Sequence, residues 1–74
     1  MTGLEKQLIL CIDDNPTSLS ARRLVLASSG YGVAASNNSK DGLRLAASIK
    51  PDLVILDYHL PDMSGPKLAE LIKQ

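Results

Sequence analysis

The sequence has no Phe and no Trp, and its two Tyr residues bring the aromatic content to only 3%. Stacking on unpaired bases needs aromatic platforms, so the composition argues against a single-stranded nucleic-acid binder. With 45% hydrophobic residues there is material for a core, and that core must be aliphatic. Cysteine is nearly absent. Cys11 stands alone, which excludes an internal disulfide and a Cys-based zinc site, and with them the secreted disulfide-rich class. Neither sign of charge dominates: eight basic residues cancel eight acidic ones, so no global field steers the chain toward nucleic acid or an anionic membrane. Long apolar runs are missing too. The opening MTGLEKQLIL has neither the length of a membrane span nor a signal-peptide cleavage pattern. The expectation is a soluble cytoplasmic protein in which residues 1–74 form a single small domain. A chain of this size buries only about 60% of the surface that its unfolded form exposes, which makes for marginal stability.

What is present alternates in type. Leu8 to Ile12 (LILCI) is a short apolar run that stops at Asp13 and Asp14, and it reads as a strand buried on both faces. Asn15 and Pro16 then start a helix, Asn as N-cap and Pro where its missing N–H costs nothing. This helix is expected to run to about Ser29 with Gly30 as C-cap, burying Leu19, Ala21, Val25 and Leu26, with Arg22 and Ser29 interrupting that face. A weaker strand, Val33 to Ser36, is followed by a helix capped by Asn38 or Ser39, with a stripe of Leu43, Ala46 and Ala47. Pro51 and Asp52 end it. Leu53 to Leu56 (LVIL) is the strongest strand signal, and it also ends on an acid, Asp57. After the loop YHLPDMSG, the segment PKLAELIKQ reads as a third helix. The order β-α-β-α-β-α with short connections predicts an α/β fold with a parallel sheet and helices on both faces.

Ligands of open parallel sheets bind beyond the carboxyl ends of the strands. Two strands here end in acids at that edge. If they are neighbours, Asp13, Asp14 and Asp57 converge, and like charges that close need a cation. An all-oxygen cluster with few carboxylates suits a hard divalent ion, Mg²⁺ better than Ca²⁺. One such Asp taken singly would do no more than cap a helix or solvate a loop; three at one edge point to a site.

Taken together, LILCIDDNP, the helix ending in GYGV, and KPDLVILDYHLPDMSG resemble the receiver domain of two-component response regulators, from about Leu8 to the C-terminus. The resemblance implies the flavodoxin-like receiver fold, with Asp57 as phosphoacceptor for a sensor histidine kinase or a phosphotransfer protein. It implies Mg²⁺ held by Asp14 directly, by Asp13 largely through water, by Asp57, and by the backbone carbonyl of His59. It also implies a phosphoacceptor that is not itself an enzyme. The sequence departs from the receiver pattern in length. It holds only the counterparts of strands one to three, and nothing in it matches the Ser/Thr and Lys that grip the phosphoryl group; Lys67 and Lys73 lie on the third helix. The chain therefore reads as the N-terminal portion of a receiver. An alternative is a non-catalytic fragment acting through a homodimer or another partner, docked at the uncovered third-strand edge or the first helix. A phosphohydrolase with an aspartyl nucleophile fits less well, because His59 stands where that chemistry places a second Asp.

The remaining candidates have plainer readings. The His59 side chain has no second His or Cys beside it in the sequence and reads as a loop residue, as does Tyr58. Gly30-Tyr31-Gly32 precedes a strand instead of opening a helix, so it is no dinucleotide fingerprint. Cys11, in mid-strand, reads as a small buried hydrophobe. Arg22 and Arg23 read either as a kinase-docking face or as a solvated helix surface. No direct nucleic-acid contact and no membrane association are expected.

Overall fold

The computed structural model describes residues 7–57, 60 and 62–73. Its elements follow the order β1 (Leu8–Ile12), α1 (Pro16–Ser28), β2 (Gly32–Ser36), α2 (Ser39–Ile49), β3 (Leu53–Leu56) and α3 (Gly65–Ile72). The three strands form one parallel sheet in the order β2-β1-β3, so the most apolar run of the first half becomes the central strand. Cys11 pairs with Ala35 on one side and with Ile55 on the other. The chain moves from β1 outward to β2 and then crosses back over β1 to β3. Crossovers of one hand running in opposite directions put their helices on opposite faces. That reversal of direction, between β1 and β3, is where a ligand crevice opens in this architecture.

β1 is buried on both faces, as its continuous apolar sequence requires: Leu10, Cys11 and Ile12 are fully enclosed. Side chains alternate along a strand, so Leu10 and Ile12 share one face and Ile9 and Cys11 the other. The first pair forms the main core with Leu60 and Leu68, and Leu43, Ala46, Val54, Leu56 and Ile72 pack around it. Each fully buried Leu or Ile contributes about 1.5–3 kcal/mol, which matters in a chain this small. Cys11 is buried and reduced, in keeping with its reading as a small core residue.

Local signals set the helix ends. The Asn15 side chain accepts from the N–H groups of Thr17 (2.9 Å) and Ser18 (3.2 Å), with Pro16 opening α1. At α2 the cap is Asn38, which accepts from Asp41 N–H at 2.8 Å. Ser64 caps α3 in the same way. The end of α1 lies one residue earlier than the sequence suggests. Ser29 is the C-cap, and Gly30 follows at φ +96°, a value that only glycine adopts without strain. Gly30 N–H donates to Ala27 and Tyr31 N–H to Leu26, the paired bonds of a Schellman ending.

The buried face of α1 also differs from expectation. Leu19, Arg22 and Leu26, spaced i, i+3, i+7, are the half-buried stripe, whereas Ala21 is exposed and Val25 is 65% exposed. α1 packs chiefly on β2 and β1. Its inward line therefore runs through Arg22, and Val25 is turned away from the sheet.

α2 lies close against β1 at Gly42. A Cβ there would collide with Ile12 Cδ1 and lie 2.9 Å from Ile12 Cγ1, and Ile12 is fully buried. Gly42→Ala gains about 1 kcal/mol of helix propensity, but overpacking a dense core costs about 1–3 kcal/mol. The expected result is a lower midpoint in thermal unfolding followed by circular dichroism. A raised midpoint would show that Ile12 can turn aside without loss.

Candidate functional site

The acids at the strand ends meet as the topology dictates. The β1–β3 ladder ends with Ile12 opposite Leu56, and one further bond, Asp57 N–H to the Ile12 carbonyl at 2.9 Å, carries the pairing past the strand. On the other side Asp13 N–H donates to the Ser36 carbonyl at 3.1 Å. Both acids are thus fixed by backbone bonds at the same height. The other end of the ladder is pinned as well: Asp52 accepts from Leu8 N–H with its side chain (2.7 Å) and donates its own N–H to the Leu8 carbonyl (2.8 Å). A slip of one residue between β1 and β3 would break this clasp and move Asp57 off the site.

Asp13, Asp14 and Asp57 each place a carboxylate oxygen within 4.8 Å of the others. Their environments differ: Asp13 is buried, Asp57 intermediate and Asp14 exposed. Asp13 is 5% accessible and is held from two sides. Its Oδ1 accepts from Asn15 N–H at 2.9 Å, and its Oδ2 lies 3.7 Å from the Arg22 guanidinium. Asp14 carries the strain of the crowding. Its carboxyl is pushed above the usual range by desolvation at the strand end, then by a hydrogen bond shared with Asp57 and by the charges of Asp57 and Asp13. The donor set is all oxygen and carries excess negative charge, which fits a hard divalent ion such as Mg²⁺.

The loop after Asp57 is anchored by a residue that the sequence did not single out. Asp62 accepts from Ser39 N–H (3.2 Å) and Lys40 N–H (3.3 Å), two free donors of the first turn of α2. The β3–α3 connection is therefore tied to the neighbouring helix. No spacing rule identifies an acid that caps a helix more than twenty residues away, so nothing in the sequence could have shown it. Nearby, the buried Ser36 hydroxyl donates to the Asn38 carbonyl at 2.8 Å and shapes the β2–α2 turn.

Of the four residues expected to hold the ion, the structure brings together three: Asp13, Asp14 and Asp57. His59, whose carbonyl was expected to be the fourth, lies outside the described residues, as do Tyr58 and Pro61. Burial pushes the Cys11 thiol up, partly offset by the positive charges of Arg22 and Arg23, so it is no thiolate nucleophile. Among the described residues, no helix is long and apolar enough to cross a membrane.

The fold is a three-layer α/β unit with an acid cluster beyond the sheet's switch point, and comparison with known proteins shows the class to which it belongs. The profile of the response regulator receiver domain matches residues 9–74, and the chain belongs to that family of two-component systems. Over 58 residues it is 50% identical to the transcriptional regulatory protein KdpE of Mycobacterium tuberculosis, covering 78% of this chain and 26% of that protein. It is 32% identical over 66 residues to the alkaline phosphatase synthesis transcriptional regulatory protein PhoP of Bacillus subtilis, covering 89% and 28% respectively. Among solved structures, a receiver domain protein from Clostridium thermocellum superposes with a TM-score of 0.88 at 33% identity, over 90% of this chain and 55% of that one. A signal receiver domain from Pseudomonas fluorescens gives 0.86 at 32% identity, over 95% and 57%. The chain thus spans about a quarter of these regulators and little more than half of these receiver structures. The flavodoxin-like receiver fold is confirmed.

The raised carboxyl of Asp14 gives a stability prediction with a definite sign. An acid whose pKa is higher in the folded state favours folding as pH falls through that folded value, because the folded chain then binds the extra proton. Asn at this position imitates the protonated form at every pH. In chelator at neutral pH, Asp14→Asn is expected to melt above the parent, and the difference is expected to shrink as the pH is lowered. Equal midpoints at neutral pH would mean that the three carboxylates do not repel one another appreciably.

Proposed function

We propose that Asp57 accepts a phosphoryl group from the phosphohistidine of a sensor histidine kinase or a phosphotransfer protein, with Mg²⁺ held by Asp13, Asp14 and Asp57. The convergence of the three carboxylates within 4.8 Å, one of them at the end of β3, carries this reading. An ionised carboxylate needs no general base to attack phosphorus. An Asp57 oxygen forms the new O–P bond while the P–N bond of the donor breaks, and the released imidazole nitrogen keeps the electron pair. The obstacle is repulsion between the anionic acceptor and the anionic donor. A bound Mg²⁺ supplies the charge neutralisation that lowers it. The protein's part is positioning: the Asp57–Ile12 backbone bond fixes the acceptor, and the Asp62 bonds to α2 fix the loop behind it. The acceptor is consumed by the transfer, so the domain acts as a phosphoprotein and not as a turnover enzyme.

A second reading has one observation in its favour. β3 is an edge strand with Leu53 53% exposed, and a shallow groove beside it is lined by Val54, Leu56, Ala69 and Ile72. An uncovered apolar edge pairs readily with another chain. On this reading the chain works by docking, as a homodimer or on a partner, without phosphoryl transfer.

Incubation with acetyl phosphate and Mg²⁺ separates the two, with intact mass and sedimentation as readouts. Phosphoryl acceptance predicts a single adduct on the parent and none on Asp57→Asn or when Mg²⁺ is chelated. An adduct on Asp57→Asn would refute the assignment. A dimer that takes no phosphoryl group would favour the docking reading.

A further inference from the structure

Arg22 sits at an unusual place for a charged residue. It occupies the inward stripe of α1 between Leu19 and Leu26, and its guanidinium lies 3.7 Å from the Asp13 carboxylate. The Asp13 side chain is 8% exposed and that of Arg22 37%, so the pair lies at the rim of the acid pocket, with its anionic member enclosed. Its neighbour Arg23 is exposed and has no ion pair among the described residues. The guanidinium has no other ion-pair partner among the described residues. Its positive field also reaches Cys11, two residues before Asp13 on β1, where it opposes the effect of burial.

We propose that Arg22 is a built-in counter-cation of the acid pocket, which stabilises Asp13 in the metal-free chain and competes with the divalent ion for the same carboxylate. The proposal rests on the metal-binding reading given above. Two cations facing one carboxylate repel each other, and the guanidinium charge lies 3.7 Å from an oxygen that the ion or its water would otherwise face. Arg22 therefore acts in opposite directions on two quantities. It raises the stability of the metal-free fold and weakens the binding of Mg²⁺. A residue with a merely structural role would, on removal, lower both stability and affinity, because a disordered Asp13 binds nothing well.

The test uses the full chain and Arg22→Gln, which keeps most of the stem that packs between Leu19 and Leu26. Arg22→Lys keeps the charge, and Arg23→Gln removes a neighbouring charge that has no such partner. Mg²⁺ is titrated against amide NMR shifts, and thermal unfolding is recorded in chelator. Arg22→Gln is expected to bind Mg²⁺ about threefold to fivefold tighter, the factor that a half-exposed ion pair of this kind represents. The same variant is expected to melt lower than the parent in chelator. Arg22→Lys recovers most of the parent behaviour, Arg23→Gln moves affinity far less, and the gain shrinks as salt is raised. Equal or weaker binding by Arg22→Gln overturns the proposal while leaving the metal site intact. Absence of Mg²⁺ shifts in every variant overturns it together with the metal reading. Binding by Arg22→Gln alone would uphold it, with the competition stronger than the stated factor.

Discussion

The placement of β3 beside β1 in one fixed register is the constraint on which the rest of the molecule depends. With Ile12 opposite Leu56, the acids that follow both strands emerge at one height, and the next backbone bond joins Asp57 to Ile12. A parallel pair cannot be closed by a hairpin, so this adjacency requires the chain to leave through β2 and return over β1. The crossover is what puts α2 on the face where Leu10 and Ile12 need cover. The clasp of Asp52 and Leu8 at the far end holds the register against a one-residue slip. Core, topology and site are therefore consequences of one pairing.

That pairing also creates the main electrostatic cost of the fold. Three carboxylates crowd together at the end of a sheet whose central strand is buried from Ile9 to Ile12, and the chain offsets their repulsion in three ways. Asn15 N–H and Arg22 hold Asp13, and desolvation together with the neighbouring Asp57 raises the Asp14 carboxyl. Each is partial. On the proposed reading a site arranged in this way takes a cation, and the aliphatic core beneath it supplies the stability that the site gives up. Gly42 belongs to the same balance: its missing side chain lets α2 lie against Ile12, the residue directly before the acids.

The sequence discloses what short-range chemistry determines. Apolar runs of strand length, Asn-Pro at a helix start and Asn before a helix are local signals, and the strands and caps stand within about a residue of where those signals put them. The acid cluster was legible because two strands end in Asp and parallel sheets gather their functional ends on one side. The buried face of α1 was misplaced because its apolar residues outnumber the positions that touch the sheet. Ala21 and Val25 belong to the expected apolar face but not to the contact. Arg22, which looks like an interruption, lies half-buried on the contact line, and its charged end reaches Asp13. Asp62 was invisible for a different reason. Its role is a bond across 22 and 23 residues of chain, and only the folded backbone reveals that the first turn of α2 faces it.

Asp62 and Arg22 show how the two halves of the site are secured by unlike means. The acids after β1 are held from behind, by a turn closed on Asn15 and by a charge on α1 that belongs to one face of the sheet. The connection after β3 is held from the side, by a carboxylate that caps α2 on the opposite face. Neither anchor shares an atom with the other, and the strand ladder between them is the described structure they have in common. A change of charge at Asp57 therefore meets two independent supports, one electrostatic and one built on helix-end hydrogen bonds. The first is sensitive to any cation that enters the pocket, because that cation neutralises the charge on which the Asp13–Arg22 attraction depends. The second contains no residue of the acid cluster, so it can keep the β3–α3 connection in place while the charge of the pocket changes.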